Sequence, residues 1–232
     1  MVISLWRFIL ILLNRILLKS FKIAGFLFFS TPVFAGVCDR FNQIPKFNSV
    51  INYGNVIYKL VDKSEIVQLD KLNNPTKTLG VTSANLRIKY DFNFNRYKVP
   101  DGVCVNIQDI NFFIGYKNLD VFIDNKYLKD TCEYKAIMEH EKQHVAIYQE
   151  ELKYYGNLLI QELRKIVENI EPVYFDKGIS ENKLSSYLNE LLLNNPNVTA
   201  IKEKLEENIQ KRNKELDTDS EYMRVHSMCK NW

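Results

Sequence analysis

Residues 132–170 read CEYKAIMEHEKQHVAIYQEELKYYGNLLIQELRKIVENI, and this stretch decides the fold of the second half of the chain. Its apolar residues recur at three- and four-residue spacing, which is typical of an amphipathic helix. The preceding Asp130-Thr131 and the Glu133 that follows have the form of a helix N-cap with an acidic residue in the first turn. The pattern therefore predicts one long helix that begins near Cys132 and ends near Ile170, before a proline.

Within this helix, residues 140–144 read His-Glu-Lys-Gln-His, an H-E-x-x-H motif. Positions four apart lie on one helix face, so the imidazoles of His140 and His144 can bind a single Zn²⁺ ion. Glu141 lies on the adjoining flank, where it can act as general base toward a water at the metal. The chain has three histidines in total, and two of them form this pair.

The direction in which the pair faces bears on its role. His140 and His144 continue the apolar stripe through Ile137 and Tyr148, so we expect the two rings to face inward. The alternative interpretation is that they are two polar residues on the exposed side of a surface helix.

A catalytic zinc needs a third protein ligand and an open position. His226 is the favoured third ligand because it is the remaining imidazole, and Glu221 is the alternative. Asp217 and Asp219 also remain open. Glu151 shares the helix face but lies about 10 Å along the axis from the pair, too far for one ion. Tyr222 and Tyr148 are candidate donors for stabilising an oxyanion.

Residues 1–35 have the layout of a secretory signal peptide. Their charged residues are all basic, an apolar run follows at 23–29, and Val33-Phe34-Ala35 has small residues at the −3 and −1 positions of a cleavage site. We expect cleavage after Ala35, with retention as an uncleaved anchor as the alternative. Two lysines interrupt the roughly 20 apolar residues that a spanning helix needs, which favours cleavage over retention as an anchor. No stable membrane span is expected in the mature chain. The four basic residues are Arg7, Arg15, Lys19 and Lys22.

The charge balance changes when this segment is removed. The whole chain has 31 basic and 28 acidic residues, and residues 1–35 hold four of the basic ones and no acidic one. The remainder carries 27 basic against 28 acidic residues. Without a basic excess there is no electrostatic support for a nucleic-acid partner.

Four cysteines lie after residue 35, an even number that predicts two disulfides in an exported chain. Sequence alone permits three pairings, of which Cys38–Cys104 with Cys132–Cys229 is the favoured one. No C-x-x-C spacing occurs, which argues against a cysteine zinc site or a thioredoxin-like motif. The richness in Lys, Asn and Ile is typical of a bacterium with an AT-rich genome, so we expect a periplasmic or secreted protein.

The first half of the mature chain has the patterns of β-strands. Apolar and polar residues alternate from Leu86 to Phe94, and Val50–Leu60 and Val103–Tyr116 are further strand candidates. Pro100-Asp101-Gly102 predicts a turn. After the long helix, a short helix is expected over Glu181–Leu193 and a last one over 198–216. Residues 36–232 are therefore predicted to form a single α+β domain, a sheet packed against the long helix and C-terminal helices.

These residues resemble a family of uncharacterised bacterial proteins described as predicted secreted zinc-dependent proteases. The similarity covers roughly Tyr53 to Tyr222, and its most specific element is the H-E-x-x-H helix. Gly80–Tyr90 is similar to the family's central strand region, and Gly102–Val105 to its Gly-Cys-containing strand. The resemblance implies a zincin-like fold with a sheet packed on the motif helix.

The end of the resemblance departs from the family pattern. The family carries Tyr-Asp-x-x-Thr-x-His-Gly where this chain has Leu-Asp-Thr-Asp-Ser-Glu-Tyr-Met at 216–223. Asp217 matches and Ser220 replaces the Thr conservatively, but Tyr222 and Met223 replace the His-Gly pair. The resemblance therefore leaves the third ligand open.

Together these observations predict an exported zinc metallohydrolase, most readily a peptidase that acts on a peptide or protein held against a strand of the sheet. Hydrolysis of cell-wall peptide cross-links in peptidoglycan is one alternative, with the same chemistry on another substrate class. A non-catalytic envelope protein with a structural metal or none is the other. The sequence fixes neither the oligomeric state nor the cleavage specificity.

Overall fold

The computed structural model of the protein describes residues 36–69, 78–176, 180–230 and 232. The predicted signal peptide lies outside these residues. The chain divides into two units, residues 1–40 and residues 41–232. Of the first unit, the described residues form a turn that leads into a short 3-10 helix at Asp39–Phe41. The second unit contains every other element.

A mixed sheet of four strands forms one layer of this second unit. The strands are β1 (Lys46–Val61), β2 (Gly80–Val99), β3 (Gly102–Asp124) and β4 (Val173–Phe175). β3 is central, parallel to β1 on one side and antiparallel to β2 on the other, and β4 pairs with its first residues. Within the described part of the chain, β2 therefore has no strand along its outer edge.

The two faces of the sheet differ because alternate residues of a strand point in opposite directions. On the outer face, Asn111 accepts a hydrogen bond from Asn48 at 2.8 Å and donates one to Asp91 at 2.7 Å, and Asn93 donates to Asp109 at 3.0 Å. The inner face is apolar and forms the core with the helices. The predicted strands are confirmed, and each is longer than the alternating stretch that indicated it.

The predicted long helix is also confirmed. Helix α2 spans Cys132–Glu168, 37 residues, and Thr131 caps it by accepting a hydrogen bond from the amide of Tyr134. Its buried side chains pack on the inner face of the sheet in one hydrophobic core. The apolar members of that buried stripe include Ile137, Val145, Leu152, Leu159, Leu163 and Val167.

The remaining helices differ from the sequence prediction in three places. The helix expected over 181–193 is divided, because its second half is wound as a π-helix, and residues 219–227 form a helix that was not predicted. A short helix also follows β1. The elements are α1 (Lys63–Leu69), α3 (Glu181–Leu188), the π-helix Asn189–Leu193, α4 (Pro196–Leu216) and α5 (Asp219–Ser227). The α+β class is as predicted.

All four described cysteines are disulfide-bonded, as the even count predicts. Cys132, at the start of α2, is bonded to Cys229, just after α5, as predicted. Cys38 and Cys104 are disulfide-bonded as well. Two disulfides fit an oxidising or extracellular compartment.

Among the described residues, no helix is both long and apolar enough to cross a membrane.

Candidate metal centre

The two motif histidines are buried on the inner side of α2. Their residues are 5% (His140) and 7% (His144) exposed, so they do not lie on an open helix face. The four-residue spacing brings the ring centroids to 4.9 Å and the two Nε2 atoms to 3.2 Å. The helix thus presents two imidazole nitrogens toward the same point, as the spacing predicts.

Asp217 completes this group from the far end of the chain. It caps the C-terminus of α4, and its Oδ1 lies 3.2 Å from Nε2 of His140 and 3.1 Å from Nε2 of His144. Among the described residues, this is the group of His, Cys, Asp and Glu side chains that can hold a metal ion. The structure therefore places two imidazoles and one carboxylate around one point.

The spacing of the three donor atoms fits a tetrahedral ion. Bonds of about 2.0–2.1 Å to a tetrahedral zinc put neighbouring ligand atoms roughly 3.3–3.4 Å apart. The three observed separations of 3.1 to 3.2 Å are close to that edge length. The side chains need only small shifts to receive such an ion.

Hydrogen bonds on the other side of each ring explain why Nε2 is available. Nδ1 of His140 lies 3.3 Å from Oε1 of Glu221, and Nδ1 of His144 lies 2.8 Å from Oδ1 of Asn213. Both oxygens can accept a hydrogen bond from Nδ1, which leaves Nε2 of each ring as the nitrogen that can bind a metal. Two ring nitrogens and a carboxylate oxygen that converge in this way form a site for a cation, either a metal ion or a shared proton.

The pKa values of His144 and Asp217 also indicate that the site favours a bound positive charge. Burial opposes ionisation of His144, but Asp217 and Glu141 outweigh burial and raise its pKa to about 9. Burial likewise opposes ionisation of Asp217, and its hydrogen bonds to both histidines lower its pKa to about 2. In the absence of a metal, a proton bound by His144 supplies part of that positive charge.

The side chain of Glu141 extends from helix α2 to the edge strand β2. Its residue is 3% exposed, and Oγ1 of Thr82 donates to its Oε2 at 2.7 Å. Burial raises the pKa of this carboxyl, although both histidines and Thr82 oppose the rise. Gly80 leaves room for it, because a Cβ at that position would lie 2.8 Å from Oε1 of Glu141. The carboxyl is therefore held firmly beside the donor group.

A cavity of about 430 Å³ opens over the three donor atoms. Residues 78–82, which lead into β2 and form its first residues, make up one wall, and β2 is an edge strand of the described sheet. Apolar side chains of α2 and α5 form another, and both predicted donors, Tyr148 and Tyr222, line the space. The ring of Tyr222 lies 6.0 Å from that of His140. The site thus combines three possible metal ligands, a buried carboxyl and an open cavity.

The favoured third ligand, His226, is not brought into this group. It is exposed, and its ring lies 4.3 Å from that of Trp232. The reason is that α5 is helical, so His226 lies about 7.5 Å further along the axis than Glu221, which faces His140. Asp217, an alternative in the sequence prediction, takes the third position instead.

The other candidates have different roles. Glu221 lies beside His140 but on its Nδ1 side, outside the donor group. Asp219 lines the cavity, and Glu151 pairs with Arg212 at 2.7 Å. The sequence patterns did not single out Asn213 and Thr82. Asn213 lies four residues before Asp217, and that spacing near a helix end is the signal that could have revealed it.

Comparison with protein-family models, with curated proteins and with solved structures finds no match to this chain.

Proposed function

We propose that this protein is a zinc-dependent hydrolase of peptide bonds with a zincin-like arrangement of motif helix and edge strand. The observation that carries the proposal is the convergence of His140, His144 and Asp217 within 3.1 to 3.2 Å of one another, next to the buried Glu141. The resemblance to predicted secreted zinc proteases favours the same assignment.

Zinc is the metal that suits this donor set best. Two imidazoles and one carboxylate are a common ligand set of catalytic zinc, which keeps a further position open for water or substrate. The cavity lies on that open side. When bound there, zinc would act as a Lewis acid toward a carbonyl and lower the pKa of a water molecule.

Glu141 performs the proton transfers in this proposal. Its carboxylate takes a proton from the attacking water and gives it to the nitrogen of the leaving amine, so it ends the cycle unprotonated. Burial raises its pKa toward the range in which it both accepts and releases a proton. Thr82 occupies Oε2 and leaves Oε1 as the proton-accepting atom.

The free edge of β2 favours a peptide as substrate. Gly80, Val81 and Thr82 belong to β2 and line the cavity, and no described strand pairs with the outer side of β2. An extended peptide can add to such an edge through main-chain hydrogen bonds and so present its carbonyl beside Glu141. Folded proteins must first expose an extended segment, so flexible polypeptides are the expected substrates.

Metal content and hydrolysis test this proposal together. We expect about one zinc per chain for wild type, loss of zinc in Asp217→Ala, and wild-type zinc content in His226→Ala as the matched control. Glu141→Gln should keep zinc but lose hydrolysis of a casein-type substrate. Wild-type protein without zinc, or an active Glu141→Gln variant, would contradict the proposal. Cleavage of purified peptidoglycan but not of casein would reassign the substrate to cell-wall peptides.

A further inference from the structure

The start of α5 has the sequence of a capping box, but the side chain of Glu221 is used elsewhere. Thr218 caps the helix, and its Oγ1 accepts from the amide of Glu221 at 3.3 Å. In a capping box the acidic side chain returns to the amide of the cap residue. Here that amide donates to the carbonyl of Leu216 at 2.9 Å instead. The carboxylate of Glu221 is therefore free for another role.

That carboxylate lies between an arginine and a metal-site histidine. Arg224 donates from Nε to Oε2 at 2.7 Å and from Nη2 to Oε1 at 2.6 Å. The same Oε1 lies 3.3 Å from Nδ1 of His140, and the Glu221 side chain is 16% exposed. Two-point contact with a planar guanidinium fixes the plane of the carboxylate as well as its position.

We propose that Glu221 is a positioning residue for the metal site and that Arg224 holds it in place. The carboxylate keeps the proton of His140 on Nδ1 and fixes the ring so that Nε2 points at the donor group. A carboxylate behind a histidine also makes the ring a stronger donor toward a metal. This inference rests on the proposed metal function.

The two histidines are held in different ways, which gives the proposal a distinct consequence. His144 has the neutral amide of Asn213 behind it, whereas His140 has a carboxylate. Glu221 and Asp217 both belong to the segment around the start of α5, so one short segment supplies both a ligand and the support of another ligand. Loss of Glu221 should therefore weaken metal binding without removing any ligand.

The test is the zinc dissociation constant, measured by competition with a chromophoric chelator. Removing the partner of a ligand histidine typically costs about 10- to 100-fold in metal affinity, and we expect this loss for Glu221→Ala. Glu221→Gln and Arg224→Gln should lose less, because an acceptor oxygen remains in each. The matched control is Glu150→Gln, which removes the charge of a carboxylate that accepts from Arg212 at 2.8 Å, away from the site, and should bind zinc like wild type.

A second measurement reads the position of the proton directly. In the zinc-loaded protein, the Nδ1 proton of His140 should give an NMR signal protected from exchange, and Glu221→Ala should lose that protection. Folded Glu221→Ala with wild-type zinc affinity and a protected proton would overturn the inference while leaving the proposed function intact. If that variant does not fold, Glu221→Met, which fills similar space without an acceptor oxygen, takes its place, and wild-type zinc affinity in it overturns the inference. Wild-type protein that binds no zinc would overturn both.

Discussion

The hydroxyl of Thr82 donates a hydrogen bond to Oε2 of Glu141 across 2.7 Å, so the edge strand holds the proposed general base. The contact links the sheet to the motif helix at the point where a substrate would lie. The carboxylate of Glu141 is therefore oriented by a residue of the sheet as well as by its own helix.

Replacing Thr82 with Val removes this donor and keeps the shape of the side chain. A hydrogen bond to a charged group contributes about 1.5–3 kcal/mol, so we expect kcat to fall about tenfold to a hundredfold. KM and zinc content should change little, since the Thr82 hydroxyl bonds to Glu141, which is not one of the three possible ligands. Thr82→Ser retains the hydroxyl and should restore kcat. Wild-type kcat in Thr82→Val would show that Glu141 needs no such support.

Gly80 should tolerate no side chain, for a related reason. A Cβ there would lie 2.8 Å from Oε1 of Glu141 and 2.9 Å from Cγ2 of Ile137. Gly80→Ala should therefore displace the carboxyl and lower kcat by at least about tenfold, the effect of roughly 1.4 kcal/mol on the barrier. The control is Gly156→Ala, which adds a methyl group 3.3 Å from Ile51, away from the site, and should stay active. Equal kcat for the two variants would argue against this crowding.

The stability of the metal-free protein should fall as the pH rises from about 6.5 toward 9. The folded pKa of His144, about 9, lies above its ordinary value of 6.5. A raised pKa stabilises the fold fully below 6.5, and this contribution is lost as the pH passes through the folded value. Thermal unfolding in the presence of a chelator measures the change, expected as a few degrees in Tm.

Zinc should reverse this trend, because the ion displaces the proton from the site. The gain in Tm on adding zinc should therefore increase over the same pH window. His144→Gln, which has neither the proton nor the metal ligand, is the control and should show neither dependence. A Tm of the metal-free protein that rises with pH would contradict the assigned state of His144.

The bond between Cys132 and Cys229 should support the metal site as well as the fold. It closes a sequence separation of 97 residues and fixes α5 beside the start of α2. Replacing both cysteines with serine should cost about 2–5 kcal/mol in the free energy of unfolding, measured in urea. Zinc affinity should also fall, since Asp217 and Glu221 precede the bond in the same segment. Unchanged zinc affinity would show that α5 is held by its packing alone.

Local patterns predicted the parts of this molecule that depend on local spacing. The long helix and the pairing of His140 with His144 follow from a period of 3.6 residues, and the strands follow from a period of two. The Cys132–Cys229 bond was one of three possible pairings. The sequence could not select Asp217 over Asp219, Glu221 and His226. The choice depends on how residues 196–227 pack against α2 and on the helical form of α5, which turns His226 away from the site. The three-residue β4 and the π-helix have no comparable sequence pattern.

The donor group is spread widely along the sequence, and this has a consequence for when it forms. Asp217 is 73 residues beyond His144, with three helical segments between them. A ribosome synthesises the chain from its N-terminus, so the two histidines and Glu141 are made before Asp217. The set of three possible metal ligands is therefore incomplete until the segment around residue 217 has folded onto α2. The proposed hydrolytic activity would therefore be absent from an incompletely synthesised chain.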